Sequence, residues 1–163
     1  MMYIKSLPLG PVSANCYIIA DEITGEGAII DPGDYTASLE REIAKAGIKS
    51  LSYILCTHGH FDHILGTAEL AGHFDGLPIY MHPSDKFTLG NNEYFSRCFG
   101  VPVPEAFETT DISEGTIIEV GNLRFEVIET PGHTVGGVCY LERSEKVLFS
   151  GDTLFAGAIG RTD

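Results

Sequence analysis

The segment "LSYILCTHGHFDH", residues 51–63, constrains the fold of this chain more than any other. Its first six residues are an apolar run of the length of a buried strand. The loop that follows holds three histidines and one aspartate. A polar loop at the end of a buried strand lies at the edge of a sheet, where a rigid scaffold can position ligand-bearing side chains. The chain is therefore expected to fold around a sheet that presents this loop at one edge.

The spacing within the loop predicts metal binding. His58 and His60 are two residues apart, so they point the same way in an extended chain. Asp62 and His63 follow where the next helix is expected to begin, and a turn would direct them at a second point nearby. Imidazole and carboxylate together suit zinc, iron or manganese rather than calcium. The loop thus predicts one or two ions, with zinc as the first expectation.

Two later segments supply further candidate ligands. His133 lies in "ETPGHTVGG" and Asp152 in "LFSGDTLFAG", each after an apolar run and each flanked by glycines that permit close approach of the backbone. No nucleophile motif such as G-x-S-x-G accompanies them. The predicted ligands of a first metal are His58, His60 and His133. The predicted ligands of a second metal are Asp62 and His63, and Asp152 would bridge the two metals through its two oxygens.

The remaining pattern predicts one mixed α/β domain over residues 1–163, with strands and helices in packed layers. Gly121-Asn122 has the composition of a hairpin turn between two strands. Residues 83–110 show no regular periodicity. The predicted helices span 35–46 and 64–74, and the predicted strands span 2–9, 15–20, 27–31, 51–56, 77–82, 115–120, 123–130, 136–141 and 146–151.

Charge and composition exclude several classes of partner. The chain has 23 acidic and 10 basic residues, a net charge of -13, which disfavours nucleic acids and anionic membrane surfaces. No apolar run reaches the roughly 18 residues of a membrane span, and no signal peptide is recognised. Cys16, Cys56 and Cys139 lie in apolar runs and are expected to be buried thiols. These features predict a cytoplasmic protein.

Three motifs carry a resemblance to a known family. "THGHFDH", "TPGHTVGG" and "GDTLF", in this order, resemble the motifs of metallo-β-lactamase-fold hydrolases. "GDTLFAGAIGRTD" narrows the resemblance to the glyoxalase II-like branch, the hydroxyacylglutathione hydrolases. The resemblance implies a four-layer αββα sandwich with the same metal ligands at one edge of its two sheets. It also implies that Asp31, in "IIDPG", orients a liganding histidine through the free N–H of its ring.

The resemblance also predicts that this chain lacks the C-terminal part of the family's fold. The family's fold continues past the "GRTD" position with a further strand and helix, which carry one more histidine for the second metal. Because this chain ends at Asp163, we expect an incomplete fold in which Asp62, His63 and Asp152 alone serve the second metal. That metal would then bind weakly or not at all. Arg161 is the candidate to meet an anionic group of the substrate, or else to pair with Asp163.

The function implied by the resemblance is hydrolysis of a thioester such as a hydroxyacylglutathione. A water whose pKa is lowered to about 7 by the metal would attack the carbonyl, while Asp62 or Asp152 holds its proton. One alternative is a persulfide dioxygenase with a single iron on His58, His133 and Asp152. Another, of a different class, is a noncatalytic scaffold with a vestigial site. The expected partner is a small-molecule thioester or thiol-derived substrate, and the sequence sets no oligomeric state.

Overall fold

A six-stranded sheet forms the centre of the fold in the computed structural model, which describes residues 1–90 and 92–162. Its strands lie in chain order; β1 to β3 are antiparallel, and β3 to β6 are parallel. The parallel half brings the carboxyl ends of β3 and β4 to the same edge. The strands are β1 (Met2–Leu9), β2 (Ala14–Asp21), β3 (Glu26–Ile30), β4 (Ser50–Leu55), β5 (Ile79–Met81) and β6 (Thr110–Asp111).

A second, four-stranded antiparallel sheet packs on the first, in the order β10-β9-β8-β7. Its strands are β7 (Ile117–Val120), β8 (Leu123–Glu129), β9 (Val138–Glu142) and β10 (Val147–Phe149). The predicted turn at Gly121-Asn122 joins β7 to β8. A short hairpin of β11 (Leu154–Phe155) and β12 (Ala158–Ile159) follows, and it was not among the predicted elements.

The helices differ most from the prediction. They are α1 (Ala37–Lys45), α2 (Phe61–Ile64), α3 (Thr67–His73), α4 (Lys86–Gly90) and α5 (Asn92–Phe99), with a 3-10 turn over Pro83–Asp85. The single helix predicted over 64–74 is wrong. The helix is interrupted at Gly66. The N–H of Gly66 donates to the Pro32 carbonyl at 2.9 Å, and its Cα lies against the Asp34 backbone. Helices α4 and α5 were missed because they are short and mix aromatic with polar residues.

Two apolar cores fill the spaces between the layers. One lies between the six-stranded sheet and helices α1 and α3, with Ile29 and Leu39 among its fully buried residues. The other lies between the two sheets, where Leu55 faces Phe125 and Tyr140. The described residues thus form the helix, sheet and sheet layers of the predicted αββα sandwich. Burial of this apolar surface is the main force that holds the sheets together.

The cysteine prediction is confirmed. Cys16, Cys56 and Cys139 are buried, Cys98 is exposed, and all four are free thiols. Burial raises the pKa of the Cys16 and Cys56 thiols well above the ordinary range, so these groups stay protonated and inert. Among the described residues, no helix combines the length and the apolar character needed to cross a membrane.

Asp21 ties the two sheets together at the end of β2. Its buried carboxylate accepts hydrogen bonds from the backbone N–H of Ile23 at 3.0 Å and from that of Asn122 at 2.9 Å. These backbone bonds, that of Asn122 first, lower the pKa of Asp21 to about 2. Because the folded-state pKa is depressed, the stabilisation is present above the ordinary value of 3.8 and is lost as the pH falls towards 2.

Asp21→Asn is therefore expected to lower the free energy of unfolding at neutral pH. The difference from the wild type should shrink as the pH falls from about 4 towards 2, where the wild-type carboxylate is protonated as well. Urea unfolding followed across this pH range measures the effect. A difference that stays constant down to about pH 2.5 would contradict the role assigned to the Asp21 charge.

Candidate metal centre

Two loops meet at one edge of the two sheets and bring together the ligands predicted for the first metal. His58 and His60 lie in the loop that follows β4, and His133 lies in the loop between β8 and β9. One ring nitrogen of each lies within 4.8 Å of the others. His60 Nδ1 is 2.9 Å from His133 Nε2. The three imidazoles therefore surround one point, as the spacing of the motifs predicts.

The residues predicted for the second metal lie beside this group. His63 Nε2 is 3.7 Å from Asp62 Oδ2 and 3.2 Å from Asp152 Oδ1. The other oxygen of Asp152, Oδ2, is 3.3 Å from His133 Nε2. Asp152 thus turns one oxygen to each group, which is the position that a bridging carboxylate requires. Metal ligation by these six side chains stays a prediction.

Asp31 lies behind the histidines, where β3 ends. Its backbone is in the left-handed region, with φ of 51°, and its carboxylate is buried. Oδ1 accepts the N–H of Thr57 at 2.7 Å, and Oδ2 accepts the Thr57 hydroxyl at 2.6 Å. Oδ2 is also 3.0 Å from His63 Nδ1. Because both oxygens are engaged, Asp31 can orient His63 and leave its Nε2 towards the centre, which agrees with its predicted role.

Two further groups orient the histidines, and sequence reasoning found neither role. Thr57 Oγ1 lies 3.0 Å from His58 Nδ1 while it donates to Asp31. The backbone carbonyl of Arg161 lies 3.0 Å from His133 Nδ1. These acceptors assign the ring proton to Nδ1 in both histidines, so that Nε2 of each faces the centre. The position of Thr57 directly before His58 could have indicated its role. The role of the Arg161 carbonyl could not be recognised, because every residue has a main-chain carbonyl.

The site fits a metal ion. Nε2 of His58 is buried and has no hydrogen-bond partner among the described residues. A buried polar atom without a partner is costly, and most such atoms in folded proteins are satisfied. A divalent cation held by imidazole and carboxylate would satisfy this nitrogen. The donor set suits zinc, iron or manganese.

Electrostatics distinguish the two groups of ligands. Burial, followed by the neighbouring histidines, lowers the pKa of His58 well below its ordinary range, and burial also lowers the pKa of His60. Burial acts in the same direction on His63, but hydrogen bonds to Asp152 and Asp31 outweigh it and raise the pKa of His63 to about 10. At neutral pH, His58 and His60 are therefore neutral and ready to bind a metal, whereas His63 must first lose a proton.

A cleft of about 230 Å³ opens at the first group of ligands. Its floor contains His60, His133 and Asp152, and its walls contain Phe95 and Phe99 of α5. Phe61 and Val12 add to the apolar lining, and Arg161 also lines the cleft. The prediction that Arg161 meets the substrate is compatible with this place. Its alternative pairing with Asp163 lies outside the described residues.

Thr57→Val tests the hydroxyl that orients His58. Valine has nearly the shape of threonine but cannot accept the Nδ1 proton of His58 or donate to Asp31. We expect the affinity for the first zinc ion to fall about tenfold, whereas Thr57→Ser, which keeps the hydroxyl, should stay close to the wild type. Competition with a chromophoric chelator measures both affinities. Equal loss in the valine and serine variants would show that packing, and not the hydroxyl, matters here.

Comparison with known proteins identifies relatives along nearly the whole chain. The family model of the metallo-beta-lactamase superfamily matches residues 9–163. The hydroxyacylglutathione hydrolase GloC of Haemophilus influenzae is 36% identical over 165 residues, which cover 99% of this chain and 76% of that protein. The crystal structure of the B3 metallo-beta-lactamase BLEG-1 is similar, with 34% identity, a TM-score of 0.87, and coverage of 99% of this chain and 77% of that one.

The crystal structure of TTHA1623 in a di-iron-bound form is also similar, with 32% identity and a TM-score of 0.84. The alignment covers 98% of this chain and 77% of that structure. These matches agree with the sequence of motifs and with the layered architecture described above.

Proposed function

Because the chain belongs to the metallo-beta-lactamase superfamily and has its fold, we propose that it is a metal-dependent hydrolase of thioesters such as hydroxyacylglutathione. One observation carries the proposal. Asp152 places one carboxylate oxygen beside His133 and the other beside His63, so that two ligand groups share a single carboxylate. The similarity to a hydroxyacylglutathione hydrolase supports the choice of substrate.

The residues of the site have separate tasks in this proposal. A bound divalent metal supplies a Lewis acid, which lowers the pKa of a water ligand and polarises the thioester carbonyl. His58, His60 and His133 would hold the first ion, and Asp152 would accept a hydrogen bond from the attacking water and keep it aligned. Asp62, 3.7 Å from His63, offers a second acceptor for the same proton. No side-chain nucleophile is required, and the products are a 2-hydroxy acid and a free thiol.

The cleft favours a substrate with both an apolar and an anionic part. Phe95 and Phe99 offer aromatic surface against which an acyl or thiol chain can pack. Arg161, which also lines the cleft, has a guanidinium that suits a carboxylate such as those of glutathione. We also propose that the partner is a small molecule in the cytoplasm rather than a nucleic acid, because the net charge of -13 repels phosphate backbones.

The direct test is hydrolysis of S-lactoylglutathione by the full chain. Metal-free protein is loaded with zinc, iron or manganese, the bound metal is quantified, and release of glutathione is followed with a thiol reagent. We expect hydrolysis that depends on the metal. Protein that holds its metal but cleaves neither S-lactoylglutathione nor a simpler lactoyl thioester would overturn the proposal.

The alternative function, a persulfide dioxygenase with one iron, rests on one feature of the geometry. His58 and His133 belong to the group of imidazoles that converge on one point, and Asp152 Oδ2 lies 3.3 Å from His133 Nε2. Two imidazoles and a carboxylate are the ligand set of many non-haem iron oxygenases. Oxygen uptake with glutathione persulfide on protein containing one iron per chain would favour this function. Thioester cleavage without oxygen uptake favours the hydrolase.

A further inference from the structure

A buried carboxylate outside the ligand cluster joins the loops that carry the first metal's predicted ligands. Asp85 ends the 3-10 turn after β5, and its side chain is wholly buried. Its Oδ2 accepts the backbone N–H of Gly59 at 2.7 Å, and its Oδ1 accepts that of Gly136 at 2.7 Å. Gly59 lies between His58 and His60, and Gly136 lies three residues after His133. One carboxylate therefore spans the two loops.

The contacts around Asp85 are close enough to require glycine at both positions. A Cβ on Gly59 would lie 2.9 Å from the Asp85 carbonyl oxygen, and a Cβ on Gly136 would lie 2.6 Å from the Asp85 nitrogen. This close approach gives a physical reason for the glycines in "THGHFDH" and "HTVGG". Because a buried carboxylate is costly unless it is hydrogen-bonded, the two N–H donors also stabilise Asp85 where it stands.

Asn92 completes this arrangement from helix α5. Its side chain is buried, and Nδ2 donates to the Gly59 carbonyl and to the Thr88 carbonyl, at 3.0 Å each. Gly59 is thus held at its N–H by Asp85 and at its C=O by Asn92. Three residues along α5, the ring of Phe95 lies 6.2 Å from that of His60. The helix that walls the cleft is therefore hydrogen-bonded to the loop that carries the histidines.

We propose that Asp85 is a positioning residue that sets the separation of the His58–His60 loop from the His133 loop, with Asn92 as its partner. Without the carboxylate, the N–H groups of Gly59 and Gly136 lose a shared acceptor, and the two loops can move apart. The three imidazoles would then no longer converge on one point, and the metal would bind more weakly. This inference rests on the metal centre of the proposed function, but it does not depend on which substrate the protein cleaves.

The test compares Asp85→Asn with Asp21→Asn in the full chain. Both wild-type aspartates are buried and each accepts two backbone N–H groups, but Asp21 is not among the residues around the metal centre. For each variant we measure the affinity for Zn²⁺ by chelator competition, the visible spectrum of bound Co²⁺, and the free energy of unfolding of the metal-free protein. We expect both variants to lose stability. Only Asp85→Asn should bind Zn²⁺ about 10- to 100-fold more weakly and show an altered Co²⁺ spectrum.

Wild-type Zn²⁺ affinity and an unchanged Co²⁺ spectrum in Asp85→Asn would overturn the inference and leave the proposed hydrolase intact. Absence of thioesterase activity in a wild type that binds Zn²⁺ would overturn the function and leave this test valid. If Asp85→Asn fails to fold, Asn92→Ala decides, because it removes the amide that donates to the Gly59 and Thr88 carbonyls and leaves the Asp85 carboxylate in place. Weaker Zn²⁺ binding by Asn92→Ala supports the inference, and unchanged binding contradicts it.

Discussion

Replacement of His58 by alanine is expected to reduce thioester hydrolysis to the uncatalysed background. His58 is buried, and its Nε2 has no partner among the described residues. Its ring lies beside the rings of the other two predicted first-metal ligands, His60 and His133, at centroid distances of 4.9 and 5.0 Å. Loss of the metal would return the pKa of the attacking water from about 7 to the far higher value of bulk water. We therefore expect kcat/KM to fall by about a thousandfold or more.

Asp152→Ala should lower kcat/KM by the same order of magnitude as His58→Ala, since it removes the oxygens that face both groups of ligands. His73→Ala is the matched control, because His73 is an exposed histidine of α3 outside the cluster. Steady-state kinetics with S-lactoylglutathione, at equal metal concentration, separate the variants. Activity that survives in the double variant His58→Ala with Asp152→Ala would exclude this site as the catalytic centre.

Removal of the metal is expected to lower the thermal stability of the protein strongly. The ligands come from loops of both sheets, so their arrangement exists only in the folded chain and the metal binds the folded state alone. At a free zinc concentration about a thousandfold above the dissociation constant, binding adds about 4 kcal/mol to the free energy of unfolding. For a domain of this size, that corresponds to a shift of about 8 to 16 °C in Tm.

Differential scanning fluorimetry of chelated and zinc-loaded protein measures the shift, and renewed addition of zinc should restore it. His133→Ala should show little or no increment with zinc, because the His60–His133 pair is broken. His73→Ala should keep the wild-type increment. An identical Tm with and without zinc in the wild type would contradict metal binding at this centre under those conditions.

The sequence predicted the elements whose signal is local. The apolar runs of β2 and β4 correspond to strands in the structure, because a run of this kind has few other ways to bury its side chains. The alternation of apolar and charged residues in β8 is the pattern of a half-buried strand. Helices α4 and α5 were not predicted, since they are short and mix aromatic with polar residues. The break at Gly66 was missed for a different reason. It depends on contact with Pro32 and Asp34, which are distant along the chain.

The candidate metal ligands could be named from the sequence because imidazole and carboxylate in that spacing have few alternative uses. The groups that hold these ligands in place could not be named from the sequence. The Asp85–Gly59 bond joins residues 26 positions apart and the Asp85–Gly136 bond residues 51 apart. In both, the donor is a backbone N–H. The carbonyl that accepts from His133 belongs to Arg161, 28 positions away.

The sequence alone thus determined which side chains are candidate metal ligands and which apolar segments they follow, since residue type and local period decide both. The tertiary structure decided how those side chains are held. It left Nε2 of His58 without a partner among the described residues, turned one oxygen of Asp152 to each group, and placed Asp85 between the loops. These features depend on backbone groups that every residue carries, and only folding brings a particular N–H or carbonyl within reach of a particular side chain.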